Sequence, residues 1–411
     1  MQKFEKYSPV VVTEVTTKHE LRQFMQYPNR LYADNPNYIP SFYGDDLSDW
    51  TPGKNPAFDY CEARCWLAWR DGEIVGRIGA ILSHKANDKF GTHRMRFSQV
   101  DFVDDSEVSA ALFGTVERWA RQKGCDQVHG PLGFTDMDRE GMLVEGFDRR
   151  SLFITNYNAP YYPEHLTRLG YRKDVDWIEY RISVPAPGSA EAERQHKLSE
   201  FILKRKHLHV ATLHHKSEYG PFVRQVFELV NAAYAPLYGV VELSDEQIER
   251  YANKFIPLVD PDFVCFVLDE QDKLVAFGVT TLDPSPALKH SDGRLFPFGW
   301  AEVLNDLHHG DTLIMLLTAV RPDLQTEGIN AVMMDHVCQS CNRHGVQFAE
   351  TGPMLELNDH ILAQWKRLEK EQHKRRRCFI KDLDHGINAA NAAAAAQAEA
   401  PEAAPAAESA E

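Results

Sequence analysis

The two halves of this 411-residue sequence carry the same succession of helix ends and strands. In the first half, a predicted helix ends at Gly124, and the strand after it leads to Gly130-Pro131-Leu132. In the second half, a predicted helix ends at Gly345, and the following strand leads to Gly352-Pro353-Met354. Self-similarity in a fixed order is typical of a duplicated structural unit. We therefore expect a chain of two similar halves.

The repeat continues beyond these glycines. Asn158 precedes Arg168-Leu169 by about the distance that separates Asn358 from Arg367-Leu368. Hydrophobic periodicity predicts the same order in both halves: a strand, one or two helices, a strand hairpin, a strand, a helix, a strand, a helix and a last strand. The first hairpin turns at Asp71-Gly72, a dipeptide typical of two-residue loops. The expected fold class is α/β.

A change of composition near the middle of the chain separates the halves. The stretch PAPGSAEAERQHKLSE, residues 185–200, has the Pro, Gly, Ser and charged residues of a linker that runs into a helix. We predict a first domain at residues 1–185, a linker and helix at 186–205, and a second domain at 206–385. Residues 386–411 are low-complexity Ala, Glu and Pro, and they are expected to form a disordered tail.

Composition excludes several classes of partner. The formal net charge is −15, and the tail supplies only four of the acidic residues. A nucleic-acid partner is therefore not expected, because such binding depends on basic contacts to phosphate. The chain also lacks an apolar run of signal-peptide or membrane-spanning length. We expect a cytoplasmic protein whose seven cysteines are reduced, and the composition implies no protein partner.

The stretch TAVRPDLQTEGINAVMM, residues 318–334, runs from a predicted strand through a glycine turn into a helix. Unpaired amides and the helix dipole favour an anion at a helix N-terminus, and glycine allows close backbone approach. The stretch is thus a candidate pyrophosphate cradle, with an ordinary strand-to-helix turn as the alternative. The equivalent stretch of the first half, VDFVDDSEVS, has no glycine and has three acids in its opening turn, so no anion is expected there.

This order of elements, with its Q-x-x-G-x turn, resembles the GNAT acyltransferase fold, present twice in the chain. The resemblance implies two tandem GNAT-like domains with mixed sheets flanked by helices, and acyl-CoA as co-substrate without a metal. The implied CoA contacts are Val320, Gln325, Gly328 and Asn330. Asn330 stands where the family has Gly or Ala, so its side chain either crowds the pyrophosphate or adds a hydrogen bond to it.

Three longer stretches narrow the resemblance: NPAFDYCEARCWLAWRDGEIVGRIG, HGPLGFTDMDREGMLVEGFD and APYYPEHLTRLGY. They are similar to a group of bacterial tandem-GNAT proteins that looks related to the bacterial ceramide synthases, which join an acyl-CoA to a sphingoid amine. The resemblance implies an N-acyltransferase acting on a small-molecule or lipid amine, including long-chain amines. The alternative is a catalytically silent GNAT-fold binding or regulatory protein.

N-acylation needs a base for the attacking amine and a group that steadies the thioester carbonyl. By position in the GNAT order, Glu350 is the candidate base, with an edge-exposed glutamate in a salt bridge as the alternative. Asn358 is the candidate orienting group. The last predicted helix, DHILAQWKRLE, lacks the Tyr that often protonates the thiolate in this family, which favours the silent alternative.

The acceptor amine has candidate contacts in the first half. Asp136, Asp138 and Glu140 form an acidic segment after a strand, suited to an ammonium group, with a solvated loop as the alternative. Tyr161 and Tyr162 are candidate substrate contacts or core aromatics. The His pairs starting at positions 214 and 308 lack metal-ligand spacing, so no metal is assigned.

Two basic stretches, KLSEFILKRKH and KRLEKEQHKRRR, have three alternative roles. They suit the 3'-phosphate of CoA, an anionic membrane surface, or the solvated face of a helix. Peripheral contact with the inner membrane face is thus an expectation to be tested.

Overall fold

The computed structural model describes residues 8–366 and 368–383. The strands of the first half are β1 (Val11–Glu14), β2 (Cys61–Arg70), β3 (Glu73–Ser83), β4 (Arg94–Phe102), β5 (Gln127–Gly130), β6 (Met142–Glu145) and β7 (Arg172–Ser183). Those of the second half are β8 (His209–Val210), β9 (Val264–Leu268), β10 (Leu274–Leu282), β11 (Thr312–Val320), β12 (Phe348–Thr351), β13 (Met354–Leu355) and β14 (Lys370–Asp382).

The helices follow the same division. The first half contains α1 (Lys18–Leu31), α2 (Tyr43–Asp49), α3 (His84–Phe90), α4 (Ser106–Gln122) and α5 (Tyr162–Arg168), and α6 (Ala190–Lys206) lies in the connection between the halves. The second half contains α7 (Gly220–Tyr234), α8 (Asp245–Phe255), α9 (Ser285–His290), α10 (Gly299–His309), α11 (Asn330–His344) and α12 (Asp359–Gln364).

The strands described here form one continuous mixed sheet across both halves. Its order is β1-β2-β3-β4-β5-β14-β7-β12-β11-β10-β9-β8, with β6 added to β14 and β13 added to β7. The last strand of each half therefore pairs with the other half: β14 lies beside β5, and β7 lies beside β12. These two exchanged strands also pair with each other along most of their length.

Each half splays open at equivalent strands. β4 and β5 are parallel neighbours only from Arg94 to Arg96 on the β4 side, and β11 and β12 only from Thr312 to Met315 on the β11 side. Beyond these short ladders the strands are no longer paired, except that the Leu132 N–H still donates to the Phe97 carbonyl at 3.0 Å. Both β4 and β11 also carry a bulge just past the ladder, which in β11 leaves Leu316 without a partner on β10. A splay next to a bulge exposes backbone groups inside the sheet.

Helices cover both faces of the sheet in each half. In the first half α4 packs on one face through Val108, Leu112 and Val116, as its periodicity predicts. In the second half α11 buries Val332, Met333 and Val337, while α7 and α8 pack on the opposite face. Among the described helices, none combines the length and apolar character that crossing a bilayer requires.

The observed elements confirm some of the sequence predictions and correct others. The Asp71-Gly72 hairpin is confirmed by the pairing of β2 with β3. The insertion after β10 contains two helices, α9 and α10, which the sequence left unassigned. The helix-face alternative for KRLEKEQHKRRR is wrong for its second part, because Lys370 begins the central strand β14. Arg367 and the predicted tail lie outside the described residues.

Candidate functional site

The loop between β11 and α11 presents open backbone donors. Gly328 has φ of +81°, a conformation that favours glycine, and α11 begins two residues later without a side-chain cap. In the described chain, the N–H groups of Gly328, Ile329 and Asn330 have no hydrogen-bond acceptor. The Gln325 side chain donates to the Val320 carbonyl at 3.3 Å and braces the turn. This geometry suits an anion.

The equivalent helix N-terminus of the first half is already occupied. The Asp105 carboxylate accepts hydrogen bonds from the N–H groups of Glu107 at 2.8 Å and Val108 at 3.4 Å. Arg70 pairs with the same carboxylate at 2.5 Å. A second anion there would meet a charge of its own sign and amides that are already bonded. The two halves thus have similar folds, but the N-terminus of α4 is capped by a carboxylate and that of α11 is not.

Glu350 lies on β12, beside the point where β11 and β12 separate. Its side chain is 14% exposed, and Lys374 Nζ donates to its Oε2 at 3.2 Å. His373 Nε2 is 3.7 Å from the same oxygen, and burial lowers the pKa of His373 to about 3. That histidine is therefore neutral near pH 7. The salt bridge of the alternative for Glu350 is present, but the edge exposure is not, because β12 lies between β7 and β11. Its role as base stays a prediction.

Asn358 caps the short helix α12. Its side-chain oxygen accepts from the Ile361 N–H at 3.3 Å, an arrangement typical of N-caps. The side-chain NH2 group remains available as a donor, so a role in orienting a carbonyl stays a prediction.

The acidic segment after β5 is partly buried. Burial raises the pKa of Asp136 to about 6. Burial, followed by the charge of Asp136, also raises the pKa of Glu140 well above its usual range. Asp138 is a structural acceptor, because its carboxylate binds the N–H groups of Phe134 at 2.8 Å and Thr135 at 3.2 Å. The segment is thus a partly buried loop, and contact of Asp136, Asp138 and Glu140 with an ammonium group stays a prediction.

Asp138 also lines a cavity that the sequence did not indicate. We call it the acidic cavity, and its charged lining residues are Asp45, Asp46, Asp49, Asp138, Arg139 and Lys254. Arg139 pairs with Asp46 at 2.6 Å, and Lys254 with Asp49 at 3.3 Å. Four carboxylates thus face two cations. The available sequence clue was the run of aspartates in α2, YGDDLSD.

Tyr161 and Tyr162 pack in the core of the first half. The Tyr162 hydroxyl is 2.6 Å from the Tyr32 hydroxyl and accepts from the Phe102 N–H at 2.8 Å. The Tyr161 hydroxyl donates to the Phe102 carbonyl at 2.5 Å. Both tyrosines therefore fix the end of β4, in line with the core-aromatic alternative, and direct substrate contact stays a prediction.

One group of side chains within the described residues has the composition of a metal site. Ligand atoms of His129, Asp174 and Cys378 lie within 4.8 Å of one another. The Tyr238 hydroxyl already donates to Asp174 at 2.6 Å and lies 2.9 Å from His129 Nδ1. Burial raises the pKa of the Cys378 thiol far above neutral, which disfavours the thiolate that a metal needs. We assign no ion to it.

The repeated splay, the paired bulges and the single open anion loop define a tandem GNAT fold. The tandem GNAT protein from the clavulanic acid biosynthesis pathway aligns at a TM-score of 0.52, covering 91% of this chain and 99% of that one, at 14% identity. A GCN5-related glucosamine N-acetyltransferase region of a fungal GH3 beta-N-acetylglucosaminidase aligns at 0.53, covering 91% and 38%, at 12% identity. The predicted fold is confirmed.

Two relatives were found by sequence. Protein YghO of Escherichia coli (strain K12) is 27% identical over 379 residues, which cover 91% of this chain and 95% of that protein. The bacterial ceramide synthase of Caulobacter vibrioides (strain NA1000 / CB15N) is 28% identical over 299 residues, or 71% and 75% of the two chains. The predicted resemblance to this group is confirmed. No protein-family model matches the chain.

Proposed function

We propose that the protein is an N-acyltransferase that binds acyl-CoA in its second half and transfers the acyl group to an amine. The observation that carries this proposal is the difference between the two helix N-termini. Asp105 closes the first with its own carboxylate, whereas the N–H groups of Gly328, Ile329 and Asn330 remain open. An open helix N-terminus after a bulged, splayed strand is suited to the CoA pyrophosphate.

The acidic cavity is the proposed site of the acceptor amine. An ammonium group is attracted to a cavity whose lining has more carboxylates than cations, and partial burial strengthens that attraction. The cavity draws on both halves, since Asp46 comes from α2 and Lys254 from α8. The similarity to a bacterial ceramide synthase supports a long-chain, sphingoid-type amine.

The proposed reaction is direct transfer without a covalent enzyme intermediate. The amine nitrogen attacks the thioester carbonyl carbon, a C–N bond forms, the C–S bond breaks and CoA leaves as the thiolate. Glu350 is the proposed acceptor of the amine proton, and the Asn358 amide is the proposed donor to the carbonyl oxygen. The proton released by the amine restores the thiol by way of solvent.

One observation favours the second candidate, a silent GNAT-fold binding or regulatory protein. The Glu350 carboxylate is already engaged by Lys374, whose Nζ donates to it at 3.2 Å, so part of its hydrogen-bonding capacity is used within the protein. Release of CoA thiol in the presence of an amine separates the two candidates, because a silent protein binds acyl-CoA without turnover.

The test of the CoA site uses two substitutions at one position. Asn330→Glu places a negative charge at the start of α11, where it suits the helix dipole but repels pyrophosphate. Asn330→Ala restores a residue typical of the GNAT turn. We expect acetyl-CoA at about 100 times its Kd to stabilise wild type and Asn330→Ala by roughly 2.7 kcal/mol, and Asn330→Glu much less. An equal thermal shift in all three proteins contradicts the site.

We also propose peripheral membrane contact through α6, from a cytoplasmic location. On this helix Leu198 and Phe201 are 39% and 58% exposed, and Lys197, Lys204 and Arg205 are also exposed. The other basic stretch is less suited, because Lys374 and Arg376 of β14 are buried. An apolar pair flanked by bases is typical of interfacial helices.

Vesicle co-sedimentation tests this contact. Wild type is expected to bind vesicles with anionic lipid better than neutral ones, and Phe201→Asp is expected to lose most of that binding. Phe296→Asp is the control, because Phe296 is 81% exposed on the insertion after β10. Loss of binding in the control alone would place the contact on the insertion and overturn the role of α6. Equal binding by all three proteins would also overturn the role of α6.

A further inference from the structure

Helix α6, in the connection between the halves, packs against the anion loop, which is the segment 321–329 between β11 and α11. Ile202 of α6 is buried in the same apolar cluster as Val320 and Ile329, which lie at the two ends of this loop. The Ile202 Cδ1 atom would lie 3.2 Å from a β-carbon placed on Gly328. The C-terminal turn of α6 therefore forms one side of the anion loop.

The same turn brings a cation to the anion loop. Lys206 lies one helical turn after Ile202, so both side chains are on one face of α6. The Lys206 Nζ atom is 2.5 Å from Oε2 of Glu327, the residue directly before Gly328. The side chains of Lys206 and Glu327 are 27% and 38% exposed. Because an ammonium group has three N–H donors, Lys206 can pair with Glu327 and still bind a second acceptor.

Arg321, the cation within the anion loop itself, is engaged by two carboxylates. Its guanidinium donates to Asp323 at 2.7 and 3.1 Å, and it lies 3.8 Å from Asp269. Among the described residues, Glu327 is the one carboxylate at salt-bridge distance from Lys206. Lys206 is therefore the cation that a ligand of this loop can bind with less competition.

The first half shows how the equivalent position of the fold holds an anionic group. There the Asp105 carboxylate accepts from the N–H groups of Glu107 and Val108, and the Arg70 guanidinium pairs with it at 2.5 Å. Amides and a cation thus act together on one carboxylate. The second half has open amides at the start of α11 with Lys206 nearby, although Arg70 comes from β2 and Lys206 from α6. No side chain caps α11, so the anion held there must come from a ligand.

We propose that Lys206 binds the pyrophosphate of the coenzyme together with the open amides of the anion loop. This inference rests on the proposed function and adds a side chain from the connection between the halves to its CoA site. A charge-assisted hydrogen bond from an ammonium group to phosphate is stronger than one from a neutral amide. Glu327 has the opposite effect, because its carboxylate repels the phosphate and competes for the same ammonium group.

Calorimetric titration of the full-length protein with CoA tests the inference. Lys206→Met keeps the apolar stem but removes the charge, and it should weaken CoA binding by about ten-fold. Lys206→Arg should retain most of the affinity. Lys197→Met is the matched control, because Lys197 lies on the same helix, is 77% exposed and pairs with Glu193. Its affinity should equal that of wild type. Since exposed ion pairs add little to stability, the thermal midpoints without ligand should be unchanged.

A double-variant cycle separates direct contact with phosphate from neutralisation of Glu327. Glu327→Gln removes the repulsion and should bind CoA more tightly than wild type. Adding Lys206→Met to Glu327→Gln should weaken binding by about ten-fold again, because the ammonium contact is lost in both backgrounds. If Lys206→Met has no effect once Glu327 is neutral, Lys206 acts only on Glu327 and the phosphate contact is overturned.

Titration with 3'-dephospho-CoA identifies which phosphate is bound. Lys206→Met should weaken binding of this ligand as much as that of CoA, since both carry the pyrophosphate. A loss confined to CoA would place Lys206 at the 3'-phosphate and overturn the pyrophosphate assignment. Equal CoA affinity in wild type and Lys206→Met overturns the role of Lys206 while the proposed function stands. Absence of CoA binding by wild type overturns the proposed CoA site itself.

Discussion

Buried ion pairs connect the two central strands of the sheet, β7 and β14. Glu179 and Arg376 are fully buried and pair at 2.5 Å, while Lys374 lies 3.7 Å from Glu179. Burial alone would raise the pKa of Glu179, but Arg376 and Lys374 outweigh it and hold that pKa below its usual value. The sequence around Lys374 is highly charged and resembles a surface segment. Its partners are not visible locally, since Glu350 lies on β12 and Glu179 lies on β7, almost two hundred residues earlier.

Glu350 differs from Glu179 in being partly accessible, so its removal should affect turnover more than folding. We predict that Glu350→Gln lowers CoA release by about 100-fold or more, with acyl-CoA binding retained. Steady-state thiol release and calorimetric binding measure the two effects. Glu371→Gln is the matched control, because Glu371 is 51% exposed and pairs with Arg149. Full turnover in Glu350→Gln removes this residue from the mechanism.

At the scale of elements, the sequence predicts the helices and strands whose hydrophobic pattern lies within one continuous segment. The β2–β3 hairpin follows from its alternation and Asp71-Gly72, and α4 from the spacing of Val108, Leu112 and Val116. β6 and β13 are too short to show a period. β14 was missed over its first part because its charges pair across to neighbouring strands, which is a non-local property.

The candidate site likewise has one part that the sequence predicts and one part that it does not. The anion loop is one continuous segment, so its glycine, preceding strand and following helix could be recognised together. The acidic cavity combines α2, the segment after β5 and α8, which are far apart in the chain. No sequence pattern joins Asp46 to Lys254, since only the packing of one half on the other brings them together.

For the whole molecule, the internal repeat predicts two similar halves but not the exchange of their last strands. β7 and β14 have equivalent places in the order of elements, and no residue pattern in either strand indicates which half it pairs with. In the structure β14 lies between β5 and β7, and β7 lies between β14 and β12. Each half therefore depends on the other for a central strand, which makes the chain one folding unit despite its duplicated sequence.

This exchange predicts that neither half is stable alone. Residues 1–185 on their own lack β14, so β5 and β7 would expose unpaired edges in the middle of the sheet. We expect this fragment to be unfolded or aggregated, and to become soluble when co-expressed with residues 186–411. Co-purification, circular dichroism and thermal melting measure the outcome.

As a control, a protease site inserted at Gly188 and cut after folding should leave the halves associated, because the exchanged strands hold them. A monomeric 1–185 fragment that unfolds cooperatively contradicts the dependence, since it would show that β7 can complete its own half.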